Sequence, residues 1–300
     1  MGGAICNSYS TNRDYPMKIA VSGATGFVGQ HIITELEKRS ITPILLIRPS
    51  SIPLLSNRKY SIVSMDLCCL PKGDLFEYIG KPDILIHCAW AGLPNYNSRH
   101  HFENELPIQY KFLTRLIKDG LHNLLVTGTC FEYGMQAGAL HEGIIPQPNN
   151  PYGLAKNTLF QQLKCFQLYH PFNLTWARLF YLYGEGQAKS SLLSQLKQAV
   201  ANREHAFNMS GGEQLRDYLP ISKAAEYLVS LALLKQNYDI INICSGVPIS
   251  IRTMVENWIL ANNWDIKLNL GYYPYQDYEP MAFWGERKKL DNCLCLNRGG

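Results

Sequence analysis

Two stretches of the chain bring together the side chains of an acid–base site: LLVTGTCFEYG at residues 124–134 and NPYGLAK at residues 150–156. The first begins as an apolar strand and ends in the hydroxyl of Thr129. The second sets Tyr152 and Lys156 four residues apart, on one face of a helix whose first turn suits Pro151. A free tyrosine has a pKa near 10. An ammonium beside it favours the phenolate, and a shift of about 3 units corresponds to roughly 4 kcal/mol. So tuned, Tyr152 is expected as a general acid toward a carbonyl oxygen, with Thr129 holding the same oxygen. A tyrosine and a lysine at this spacing also fit an ordinary helix surface. What singles out this pair is the turn that precedes it in the chain.

That turn is SGATGFVGQHI, which places Gly23, Gly26 and Gly29 between an apolar strand, 17–23, and an amphipathic helix, 27–40. Glycines at these points let the backbone turn tightly and approach a pyrophosphate, and the helix N-terminus offers it free N–H groups. Thr25, Phe27 and Val28 complete the expected cradle. Sites that prefer NAD carry an acidic residue about 20 positions further on. Here that place holds Arg48, followed by Ser50 and Ser51. An arginine grips a 2′-phosphate as a fork and the serines add hydroxyl donors, so the expected cofactor is NADP(H). Asp66, ending the third strand, is expected at the adenine amine, Leu67 and Ala89 at the cofactor, and Lys156 at the nicotinamide ribose, where the positive ring of the oxidised cofactor joins the ammonium in favouring the Tyr152 phenolate.

These residues need a frame, and the chain supplies one. Apolar runs at 43–48, 60–66, 83–90, 123–129 and 174–180 alternate with helical segments, including 99–119 and 151–169. Continuous apolar strands separated by helices predict a doubly wound parallel α/β sheet of the Rossmann kind. It is expected to span 17–180 with a return over about 220–250, including a late strand at 239–246. The alternation breaks down from 181, so 181–219 and 251–300 are expected to form a smaller cap. Residues 1–16 are polar and punctuated, and read as a disordered leader rather than a signal peptide. A chain of 300 residues with 46% hydrophobic content can bury a sizeable core. Its net charge of +4, without a long basic run, fits small anionic ligands rather than nucleic acid. No apolar run reaches membrane-spanning length. The nine cysteines are scattered. Cys68, Cys88, Cys130, Cys165 and Cys244 sit in apolar stretches and read as buried free thiols of a reducing, cytoplasmic compartment. Cys293 and Cys295 have no histidine pair nearby, and no metal site is expected.

From about Met17 to about Asp291 the chain resembles the extended short-chain dehydrogenase/reductase family, in its nucleotide-sugar modifying branch. GATGFVG, DILIHCAW, TGTCFEYG, NPYGLAK and QLRDYLPISKAA carry the resemblance, in the family's order. It implies a Rossmann domain, a small C-terminal sugar-nucleotide domain, a nicotinamide cofactor, and often a homodimer paired through the helices at 99–119 and 151–169. By position, Thr129, Tyr152 and Lys156 match the family's catalytic triad, Asn104 its helix asparagine near the site, and Arg216 the arginine on the substrate diphosphate. Cys130 and Phe131 stand where its dehydratases carry Asp-Glu, which argues against dehydration. Tyr181 replaces an asparagine that usually touches the phosphate. Trp90, Cys130 and Phe131 are expected to wall the sugar pocket, their apolar surface fitting a 6-deoxy methyl group. The resemblance thus implies NADPH-dependent reduction of the C4 ketone of a nucleoside-diphosphate 4-keto-6-deoxysugar, dTDP-4-keto-6-deoxyglucose fitting best. The alternatives are a C4 epimerase that retains NAD and a non-catalytic NADP-binding protein.

Overall fold

The structure is a computed structural model that describes residues 17–51, 60–275 and 279–295. The expected leader therefore lies outside the described residues, as do positions 276–278 of the aromatic segment GYYPYQDYEPMAFWG. The first half alternates as the apolar runs require: β1 (Ile19–Ser22), α1 (Phe27–Lys38), β2 (Ile44–Ile47), β3 (Ser61–Ser64), α2 (Leu75–Tyr78), β4 (Ile84–His87), α3 (Leu106–Lys118) and β5 (Asn123–Thr129). The second half continues with β6 (Gly138–Leu140), α4 (Pro151–Gln167), β7 (Asn173–Leu179), β8 (Tyr181–Tyr183), α5 (Leu192–Ala201), β9 (Ala206–Asn208) and β10 (Leu215–Pro220). The last elements are α6 (Ile221–Leu233), β11 (Asp239–Ile243), β12 (Pro248–Ser250), α7 (Ile251–Ala261), β13 (Lys267–Asn269), β14 (Phe283–Gly285) and α8 (Lys288–Cys295).

Seven parallel strands form the main sheet in the order β11-β7-β5-β4-β1-β2-β3. The strand order reverses between β1 and β4, which opens a crevice at their carboxyl ends. Successive residues of a strand face opposite layers, so both layers draw on the same short runs. Ile84 and Ile86 of β4 pack with Ile32, Ile33 and Leu36 of α1 and with Ala224 and Leu228 of α6. Leu85, between them, packs on the other side with Phe112 and Leu116 of α3 and Leu159 and Leu163 of α4.

The small lobe is built on the three-stranded sheet β12-β10-β8 and the pair β13-β9. Leu193, Leu196, Phe207, Met254, Val255 and Trp258 fill its core. The end of the expected cap departs from expectation. α8 packs against the main layer, burying Leu290 and Cys293 in the same core as α1 and α6. Of the five cysteines expected inside, Cys130 and Cys244 are buried and Cys88 is half-buried, while Cys68 and Cys165 are exposed. Cys68 lies in the turn after β3 and Cys165 on the outer face of α4, where the apolar neighbours point inward without it. Among the described residues no helix is long and apolar enough to cross a membrane, and no group of three His, Cys, Asp or Glu side chains is placed to hold a metal.

Candidate active site

The glycine turn sits at the β1 end of the crevice. Gly23 has φ +71, and a side chain there would lie 2.7 Å from the Ala89 amide nitrogen beyond β4. A side chain at Gly29 would meet the Gly23 carbonyl at 2.2 Å, so only glycine lets α1 begin this close to the turn. α1 starts at Gly26 with no side-chain cap and no acidic residue in its first turn. Its free N–H groups and partial positive charge therefore fit a dinucleotide pyrophosphate. Thr25, Phe27 and Val28 are half-buried along this rim. Arg48 and Ser50 are exposed just past β2, and Ser51 is buried. Asp66 is exposed after β3, where its carboxylate accepts the Cys68 amide at 2.9 Å, and Leu67 beside it is half-buried.

β5 delivers Thr129 to the same edge of the sheet. A tight 3-10 turn, Cys130–Tyr133, follows, and Thr129 caps it. The Thr129 hydroxyl oxygen accepts the Phe131 N–H at 3.3 Å. Its own O–H is then left to donate elsewhere. Glu132 closes the cap by accepting the Thr129 N–H at 2.8 Å. That carboxylate is also held by Arg178 at 2.7 Å and the Trp176 indole at 2.9 Å, all fully buried. The acidic side chain of this turn is thereby committed to structure.

α4 is positioned by the segment NPYG. Asn150 caps it, accepting the Gly153 N–H at 2.8 Å, and Pro151 occupies its first turn. A side chain at Gly153 would strike the Phe131 carbonyl at 2.6 Å, so glycine allows the helix to start against the 3-10 turn. Tyr152 and Lys156 are consequently both buried. The Lys156 ammonium donates to the Thr127 carbonyl at 2.8 Å and lies 4.1 Å from the centre of the Trp90 ring. Aromatic rings surround Tyr152: His101 at 5.2 Å, Tyr96 at 5.5 Å and Trp90 at 6.0 Å.

In the protein alone, burial rather than Lys156 governs the Tyr152 phenol. Burial pushes its pKa well above the ordinary value, and Tyr96, Glu132 and Cys130 add in the same direction. The lysine does not offset this, because its hydrogen bond goes to a backbone carbonyl and burial lowers its own pKa to about 8. Tyr152 thus keeps its proton across the neutral range.

Asn104, expected near the site, lies outside regular α-helix. The expected continuous helix over 99–119 is interrupted by a π-helical turn, His101–Glu105. The regular helix α3 follows from Leu106, with Pro107, which has no N–H to donate back, in its first turn. In the π-helical turn Asn104 is exposed, and Glu105 is the side chain that points inward. Glu105 accepts the Ala91 N–H at 3.1 Å and the Gln109 amide at 2.9 Å. Gln109 in turn bonds His87 at 2.8 Å, and His87 bonds Ser22 at 2.7 Å. This buried chain links the end of β1 to the loop after β4. Burial, with Lys156 nearby, holds the His87 pKa at about 3, so its ring is neutral. The composition around a lone histidine gave no signal for this network, because Ser22, His87 and the Glu105–Gln109 pair are far apart in the chain.

Phe131 is half-buried and forms edge contacts with Tyr181 at 6.5 Å. Cys130 is buried, and burial raises its thiol pKa far above the ordinary value. Arg216, which the resemblance places at the substrate diphosphate, is fully buried and paired with Glu279 at 2.8 Å. The other oxygen of Glu279 accepts the Tyr181 hydroxyl at 2.7 Å. Glu279 thus joins the two side chains that the resemblance placed at the phosphate, and the sequence reading missed it.

The crevice, its glycine cradle and the Thr-Tyr-Lys set define the class. The model of the NAD dependent epimerase/dehydratase family matches residues 19–244, and the chain belongs to that family. Among its relatives is dTDP-6-deoxy-L-talose 4-dehydrogenase (NAD(+)) of Aggregatibacter actinomycetemcomitans, 29% identical over 90% of this chain and 100% of that protein. dTDP-4-dehydro-6-deoxyglucose reductase of Escherichia coli is 24% identical over 79% of each chain. The fold is shared with UDP-N-acetylglucosamine 4-epimerase from Methanobrevibacter ruminantium M1, solved with UDP-N-acetylmuramic acid. The TM-score there is 0.81 at 20% identity, covering 93% of this chain and 92% of that one.

Proposed function

We propose that the protein is a nucleotide-sugar oxidoreductase that interconverts ketone and alcohol at C4 of a nucleoside-diphosphate 6-deoxyhexose, working as a 4-ketoreductase. The observation that carries this reading is a buried Tyr152, with the Lys156 ammonium 5.9 Å from the centre of its ring, on the helix that starts against the turn capped by Thr129. A reduced nicotinamide dinucleotide held at the glycine cradle would supply the hydride for the carbonyl carbon. Tyr152 donates its phenolic proton to the C4 oxygen. Thr129, its oxygen engaged by Phe131, gives its O–H to the same oxygen and steadies developing charge there. Lys156 adds positive charge beneath the site and binds the nicotinamide ribose. Two relatives named for redox chemistry at C4 of a dTDP-6-deoxyhexose support the substrate class. Elimination of water finds little support, because Glu132 is tied to Arg178 and Trp176.

Arg48 favours NADP(H) as the dinucleotide. The relative from Aggregatibacter is named for NAD(+), which favours the other cofactor. Measuring kcat/KM with NADPH and with NADH separates the two, and a ratio above about tenfold for NADPH, lost in Arg48→Ala, is the expected result. The reaction is tested with a panel of nucleoside-diphosphate 4-ketosugars, following nicotinamide absorbance and identifying the product by NMR. The expected outcome is oxidation of the cofactor with a 4-keto-6-deoxysugar. A cofactor that is bound but never consumed, with the sugar emerging inverted at C4, would instead establish the epimerase.

A further inference from the structure

Trp90 follows β4 and is gripped from two sides by the π-helical turn. Its indole N–H donates to Nδ1 of His101 at 3.1 Å. The two rings lie only 29° from coplanar, as an edge-on hydrogen bond requires. Nε2 of His101 lies 2.8 Å from the Asn95 carbonyl. A carbonyl only accepts, so Nε2 carries the proton and Nδ1 carries the lone pair that an indole needs. At the next residue after Trp90, the Ala91 N–H is held by Glu105 at 3.1 Å. Residues 101 and 105, the two ends of the turn, therefore fix the side chain of Trp90 and the backbone just beyond it. The indole so held covers the Lys156 ammonium and meets the ring of Tyr152. A π turn raises its side chains out of the regular helical pattern, and such turns recur where a site must be shaped.

We infer that His101 is a positioning residue. By accepting the indole N–H it holds Trp90 as the apolar wall of the sugar site, and so sets a preference for a 6-deoxyhexose over the parent hexose with its C6 hydroxyl. The specificity clause rests on the function proposed above. An apolar ring closing on C6 gains from a methyl group and leaves a hydroxyl unpaired. The groups facing His101 are His100 and Glu105 around its own turn, and Tyr152 and Lys156 on α4. Burial, reinforced by His100 and Lys156 against Glu105 and the Asn95 carbonyl, holds its pKa below the ordinary value. The ring is thus neutral at neutral pH, the form the indole bond needs.

The test reads the bond and the selectivity separately. The indole ¹H–¹⁵N signal of Trp90 is identified by its absence in Trp90→Phe, which is practical with five tryptophans. In the wild type it should move in one acid transition, centred below the ordinary histidine value. His101→Phe, which keeps a ring against Tyr152, should shift it at all pH values. His101→Gln, whose amide can accept from the indole and donate to Asn95, should restore it. With a nucleoside-diphosphate 6-deoxyhexose and its parent hexose as substrates in the oxidising direction, selectivity should fall about tenfold in His101→Phe. It should recover to within about threefold in His101→Gln, with nicotinamide binding within about twofold throughout. An unmoved indole signal in His101→Phe, or unchanged selectivity once it has moved, overturns the inference while the enzyme remains active. A wild type that oxidises neither sugar overturns the functional reading, and the specificity clause with it, whatever the indole does. Should His101→Phe fail to fold, the wild-type titration decides alone: an indole signal indifferent to acid contradicts the bond.

Discussion

Tyr152 and Lys156 lie together, but burial dominates both. The tyrosine is kept protonated and the lysine is brought to about 8. The site therefore holds its proton ready to give, and its positive charge fades in mild alkali. Below about 8 Lys156 is charged in the folded chain, while unfolded lysine stays charged to about 10.5. Between those values the unfolded chain binds a proton that the folded one does not, so stability rises with pH across that window. Turnover should fall over the same range, and paired pH profiles of kcat and of the unfolding midpoint check the opposition. Lys156→Met removes a buried charge and should stabilise the fold at neutral pH by on the order of 1 kcal/mol, a few degrees in Tm, while turnover is lost. Thr129→Ala removes the hydroxyl proposed to donate to the C4 oxygen and should lower kcat by about a hundredfold, with Thr129→Ser retaining most of it. The sequence singles out these three residues as candidates because their chemical types recur at the spacing of an acid–base site. It did not make the balance of their pKa values legible, because that balance depends on how deeply α4 is seated.

At the scale of elements, the glycine turn was readable since only glycine permits it, and Gly29 shows how tightly. A methyl group there would press on the Gly23 carbonyl at 2.2 Å. Gly29→Ala should destabilise the fold by about 1–3 kcal/mol and weaken dinucleotide binding together, measured by thermal unfolding and by titration with the cofactor. The strands were legible as apolar runs, though most, β5 excepted, end a residue or more earlier than their hydrophobic stretches suggest. The 60–66 run pairs only over Ser61–Ser64, and 239–246 only over Asp239–Ile243. The helix over 99–119 was readable as a helix but not its π turn. Glu105, four residues before the buried Gln109, faces inward, and Asn104 is exposed. Hydrophobic periodicity does not tell which of the two faces inward, since both are polar.

Across the whole molecule, alternation of strand and helix fixed the class of fold, and the parallel sheet with its reversal between β1 and β4 follows it. What alternation could not provide is the meeting of distant segments. Glu279 closes on Arg216 and Tyr181 across 63 and 98 residues. α8 leaves the small lobe for the main core because Leu290 and Cys293 find an apolar surface between α6 and β11. No local pattern encodes either contact. The central claim concerns one proton and one hydride meeting at the same carbonyl, and an isotope decides it. Reduced nicotinamide deuterated at its transferable position is mixed with dTDP-4-keto-6-deoxyglucose, and the product is read by NMR. Deuterium at C4 with the wild type, and its loss in Tyr152→Phe despite undiminished cofactor binding, is the predicted result. Transfer by Tyr152→Phe at the wild-type rate, or no deuterium at C4 with any 4-keto nucleotide sugar, would contradict it.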